Sequence, residues 1–125
     1  MMTADDFTVH VARVRERFAS TLNSKIADNF AALEKMSASG SDSIEAVVAT
    51  HRRLHEMYGV ASTLGFNATG KAAGATRAAI REAAKAKRPP TAAEITALRR
   101  ELEHLRDAAA ADLRSFSMGG KTDAP

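Results

Sequence analysis

The chain has 125 residues, enough for one domain with a single core. It contains no cysteine, which excludes disulfides, thiolate catalysis and Cys-ligated metals. Its formal charge of +3 comes from interspersed acidic and basic residues, whereas a nucleic-acid binder presents a clustered basic face; complementing an acidic protein surface fits at least as well.

Ala, Leu, Glu, Arg and Lys dominate, proline is confined to Pro89, Pro90 and Pro125, and there is one Tyr and no Trp. That usage favours an all-helical fold. The start, MMTADDF, lacks the basic-then-apolar pattern of a signal peptide, and no apolar run approaches the roughly 20 residues of a membrane span. A soluble, cytoplasmic protein without membrane partners is expected.

In chain order, residues 1–4 read as frayed and disordered. From Asp5 to Met36, Phe7, Val11, Val14, Phe18, Leu22, Ile26, Phe30 and Leu33 recur every three or four residues. This spacing predicts one long amphipathic helix, or two nearly collinear ones with a short extra N-terminal helix, bending at Asn23-Ser24. Residues 37–43, SASGSDS, form a loop by composition, and Asp42 with Glu45 is a D-x-x-E arrangement to cap the next helix.

The second helix carries the stripe Ile44, Val47, Leu54, Met57, Ala61 and Leu64, and Gly65 is placed to end it. Asn67 or Thr69 is expected to cap a third helix over residues 68–88. Its inward face is built from Ala68, Ala72, Ala75, Ala79, Ile80 and Ala83, which bury little apolar area each. Pro89-Pro90 stops that helix, and Thr91 with Glu94 forms a capping box for a fourth. There Ile95, Leu98, Leu102, Leu105, Ala109, Leu113 and Phe116 make a nearly heptad stripe, and the Gly-rich residues 117–125 read as a disordered tail. Four amphipathic helices on short loops predict an antiparallel up-down four-helix bundle as a single domain over residues 1–125.

Among four histidines, His10 and His104 have unremarkable polar settings. His51 and His55 are one turn apart on one helical side, but a metal site needs three or four ligands and no recognisable spacing supplies the rest, so no metal is expected. His55 follows Leu54 and is turned about 100° from it, at the rim of the apolar stripe. Gly59, one turn on, costs roughly 0.5–1 kcal/mol relative to Ala inside a helix and so asks for a purpose. By itself this pattern describes a rim histidine with a bare patch beside it.

The run His55-Glu-Met-Tyr-Gly59-Val-Ala61-Ser-Thr-Leu64-Gly65 resembles the H-x-L-K-G-x-A-x-x-x-G pattern of histidine-containing phosphotransfer (HPt) domains. His55, Gly59, Ala61 and Gly65 match, Met57 stands for the usual Leu, and Tyr58 departs from the usual Lys. The family's site also lies on the second long helix of a four-helix bundle.

The resemblance implies a phosphorelay intermediate: His55 accepts a phosphoryl group from a phospho-aspartate on a response-regulator receiver domain and passes it to another receiver. Receivers, and a hybrid histidine kinase carrying one, are the implied partners. They bring the Mg²⁺, so no cofactor of the chain's own is implied, and a monomer is expected. His51, Arg52, Tyr58, Gly59, Ser62 and Arg77 are the implied site-lining and docking residues, with Arg77 at the gapless position from which a third-helix side chain bonds the acceptor ring.

Phosphoryl transfer depends mostly on positioning and charge stabilisation, and an unperturbed imidazole, with a reference pKa near 6.5, is mostly the attacking neutral form at cytoplasmic pH. Tyr58 offers a hydroxyl but no cation, so His51, Arg52 or a third-helix base would supply the positive potential. The competing reading is a non-phosphorylated helical adaptor that docks receivers. An autonomous enzyme is not indicated, since the chain has no glycine-rich phosphate loop or ATP-binding signature.

Overall fold

The computed structural model describes residues 3–37 and 40–122, with side chains as far as Ser117. The described residues are all-helical: α1 (Ala4–Met36), α2 (Ser41–Thr63), α3 (Asn67–Ala79), α4 (Arg81–Ala86) and α5 (Ala92–Thr122). Helix α1 packs on α2 and α5, α3 packs on the same two helices, and the short α4 leans on α2. The helices thus enclose one core, to which α1 gives Phe18, Leu22, Ile26 and Leu33, α2 gives Val47, Leu54, Met57 and Ala61, and α5 gives Leu98, Leu102, Leu105 and Ala109. Leu54 is fully buried; truncating it to Ala would cost about 2–5 kcal/mol. No described helix is long and apolar enough to cross a membrane.

Helix α1 runs unbroken through Asn23-Ser24, as the single long helix and without a separate N-terminal one. Both residues are exposed, and neither side chain bonds the backbone among the described residues, so nothing competes with the helical ladder. Thr3 and Ala4 are not frayed either: Thr3 closes a capping box with Asp6, its hydroxyl accepting from the Asp6 N–H. The stripe reaches the core later than its spacing suggests. Phe7, its first member, is 59 % exposed, and among the described residues burial in α1 begins only at Phe18.

Helix α2 starts before Asp42, which lies in its first turn and does not cap it. Gly40 takes φ +92°, a conformation L side chains rarely adopt, and buried Ser43 turns inward to donate to the Met36 carbonyl. At the far end the Phe66 N–H donates to Ala61 O and the Gly65 N–H to Ser62 O, with Gly65 at φ +87°. This is the expected glycine stop, a Schellman closure. Arg15 reinforces it: its Nε donates to Leu64 O at 3.0 Å while its guanidinium lies over the Phe66 and Phe116 rings.

Neither Asn67 nor Thr69 caps α3. Asp112 of α5 does so from outside, accepting from both the N–H and the hydroxyl of Thr69 at 2.7 and 2.8 Å. The expected third helix is also interrupted at Ile80 (φ −119°, ψ 9°), which separates α3 from α4. Ile80 stays fully buried across the break, so the apolar pattern does not register it. Thr91 and Glu94 form the expected box before α5, joined by Arg88, which bonds both Glu94 carboxylate oxygens. The tail assignment over residues 117–125 is corrected as far as Thr122, where α5 ends. Half-buried Phe116, packed on Phe66, ties down the turn from which that backbone continues. Of the expected disordered and loop residues, 1–2, 38–39 and 123–125 lie outside the described set.

Candidate functional site at the α2–α3 seam

Burial of Leu54 and Met57 fixes the rotation of α2, and His55 is thereby turned to the exposed edge beside α3. The seam between these helices is built from glycine on α3 and larger side chains on α2. A Cβ at Gly70 would stand 3.2 Å from the Ser62 backbone nitrogen, and one at Gly74 would stand 3.0 and 3.1 Å from the Tyr58 ring. One further step in each helix brings Arg77 to His55. As numbering falls along α2 it rises along α3, and His51 and Arg81 continue the series along a shared groove.

Arg77 is the hub of the seam. Its Nη1 hydrogen-bonds His55 Nδ1, and its guanidinium carbon lies 5.3 Å from the Tyr58 ring centroid. Such cation–π stacking on an exposed ring contributes about 0.5–1 kcal/mol. The third feature is unfavourable. Arg77 Nε is buried with no hydrogen-bond partner among the described residues, a condition that costs about 1–3 kcal/mol or more for a charged group.

His55 separates two shallow hollows. On one side His51, Arg52, Arg77, Arg81 and Lys85 line a basic groove with it. Burial, then the charge of Arg77 and the nearness of His55 and Arg81, push the His51 imidazole below its ordinary value of 6.5. His51 is therefore a poor source of positive charge, and the groove's potential comes from its Arg and Lys side chains. On the other side Val14, Glu56, Gly59, Val60, Thr63 and Leu64 form with His55 a mostly apolar hollow, with Val60 44 % exposed. A Cβ on Gly59 would meet nothing within 4 Å among the described residues, so no packing between them accounts for this glycine.

Of the residues expected at the site, His51, Arg52, His55 and Arg77 meet in one groove, Tyr58 supports Arg77 from below, and Gly59 flanks the ring. Ser62 lies outside both hollows, against Gly70. His10 and His104 are exposed and far along other helices, the latter 3.8 Å from Glu101. Among the described residues no three His, Cys, Asp or Glu side chains gather where a metal could bind. Sequence reasoning missed Gly74, which admits the Tyr58 ring, and placed Ala68 and Ala75 on the inward face of the third helix, where both are exposed and Thr69, Ala73 and Thr76 are buried instead. The G-x-x-x-G spacing of Gly70 and Gly74 was the available signal for a close helix crossing.

Compared with family models, curated proteins and solved structures, the chain has no match.

Proposed function

We propose that the chain is a histidine phosphotransfer protein whose His55 accepts a phosphoryl group from a receiver-domain aspartyl phosphate and hands it to another receiver. The observation that carries this reading is the exposed His55 ring, held on a rigid core-anchored helix at the edge of a groove lined by Arg52, Arg81 and Lys85. The basic groove suits a phosphoryl group and the acidic partner surface that delivers it. The open space at Gly59 and the apolar hollow beside it suit a protein closing over the ring. In this reading the helix order α1, α2, α3 with α4, and α5 is the antiparallel up-down four-helix bundle of such proteins. The Mg²⁺ and the remaining catalytic groups belong to the partner, and the protein acts as a cytoplasmic monomer.

Arg81 and Lys85 supply the cationic surroundings that a lysine in place of Tyr58 would otherwise provide. Tyr58 equally favours a second reading, a receiver-docking adaptor that carries no phosphate. The test is incubation of the purified chain with a panel of phosphorylated receivers, followed by detection of acid-labile label. Label on the wild-type chain and none on His55→Gln is the expected result; receiver binding with no label on either selects the adaptor.

A further inference from the structure

We infer that Arg77 is a tautomer latch on His55: it closes on the resting and loaded forms of the ring and must open for phosphoryl transfer. The inference rests on His55 being the phospho-acceptor and concerns how that site is controlled.

A guanidinium has five N–H donors and no acceptor. In its bond to His55 Nδ1, that nitrogen can only be the acceptor, so the proton of a neutral ring resides on Nε2. Nε2 then has no free lone pair. For Nε2 to attack, the ring proton must move to Nδ1, the position Arg77 occupies with a donor of its own. The attacking lone pair forms the N–P bond as the P–O bond to the aspartyl carboxylate breaks, and that electron pair stays on the carboxylate. The imidazolium so formed releases its Nδ1 proton to water. Nδ1 is again an acceptor, and Arg77 can return to it. The contact therefore fits both end states and opposes the reactive tautomer between them.

Two further features of Arg77 suit a group that moves. Its buried Nε lacks a partner among the described residues in the closed position and would gain water on opening. The Tyr58 ring, itself exposed, offers a face along which the guanidinium can slide without losing its support. Arg81 and Lys85 remain in the groove as cations when Arg77 leaves.

The test uses the full chain, with ¹⁵N-labelled histidine read by long-range ¹H–¹⁵N NMR in mildly alkaline buffer, and phosphoramidate as a small phosphoryl donor that needs no partner. The wild-type chain and Arg77→Lys, both donor-only at this position, are expected to hold the Nε2–H tautomer. Arg77→Glu, which can only accept, is expected to move the proton to Nδ1. Arg77→Gln, able to do either, should take up phosphate about fivefold faster than wild type, the factor of one ordinary hydrogen bond, while Arg77→Lys should stay near the wild-type rate.

An identical tautomer ratio in wild type, R77A and R77E would overturn the latch, as would slower uptake in R77Q. A held tautomer with no phosphate on His55 in any variant would instead overturn the phospho-acceptor reading beneath it. Circular dichroism of each variant confirms that the helices persist.

Discussion

The ring of Tyr58 lies on Gly74: a Cβ at that glycine would be 3.0 Å from one ring carbon and 3.1 Å from the next. Tyr58 can support Arg77 only because α3 has no side chain there. Gly74→Val should therefore be destabilising by about 1–3 kcal/mol, the usual result of overpacking a tight contact. Tyr58→Ala should recover most of that loss when combined with it, since the obstacle is then gone. Urea unfolding of both single variants and the double variant measures the coupling; strictly additive effects would mean that the ring is not the obstacle.

Gly59 separates packing from docking. With open space around it, Gly59→Ala should raise stability by about 0.5–1 kcal/mol, the helix-propensity difference, read as a higher urea midpoint. Gly59→Trp should leave the fold intact and still react with phosphoramidate, yet take no label from a phosphorylated receiver. Normal transfer from a receiver to this variant would show that no partner closes over the His55 edge there.

Helix α3 depends on a carboxylate more than forty residues away. Asp112→Ala would leave the buried Thr69 N–H and hydroxyl without their acceptor, at about 1–3 kcal/mol. Thermal melting should show this as a drop of roughly 3–5 °C per kcal/mol. Asp112→Asn keeps one acceptor oxygen and should lose less. Equal melting temperatures for all three chains would show that the helix start is held by other means.

Acid sensitivity should trace in part to Glu94. Arg88, bonded to both its oxygens, holds the carboxyl at about 2 against an ordinary 4.5, and the Thr91 N–H adds to this. Because the folded value is depressed, the contribution is fully present above pH 4.5 and is lost as pH falls toward 2. Glu94→Gln should flatten the stability curve within that window and lower stability above it. Urea midpoints at stepped pH provide the measurement. Asp6, lowered by its bonds to Thr3, titrates in both chains and does not distinguish them.

The all-helical character, the glycine stop at Gly65, the Thr91–Glu94 box and the core-facing sides of α2 and α5 were legible in the sequence. Each depends on residues within a few positions of one another, where helical spacing and capping chemistry act locally. His55 was legible for the same reason, as a histidine one position off an apolar stripe.

What surrounds His55 was decided by tertiary structure. Helix spacing alone does not say how two helices slide past one another, and a shift of one turn would have offered another residue in place of Arg77. Gly70 against Ser62 and Gly74 against Tyr58 set that register, and only then do a donor-only guanidinium and an imidazole meet. The cap from Asp112 to Thr69 has the same origin. Local chemistry determined which helices form and which face turns inward; packing across the seam determined what the histidine's ring nitrogen touches.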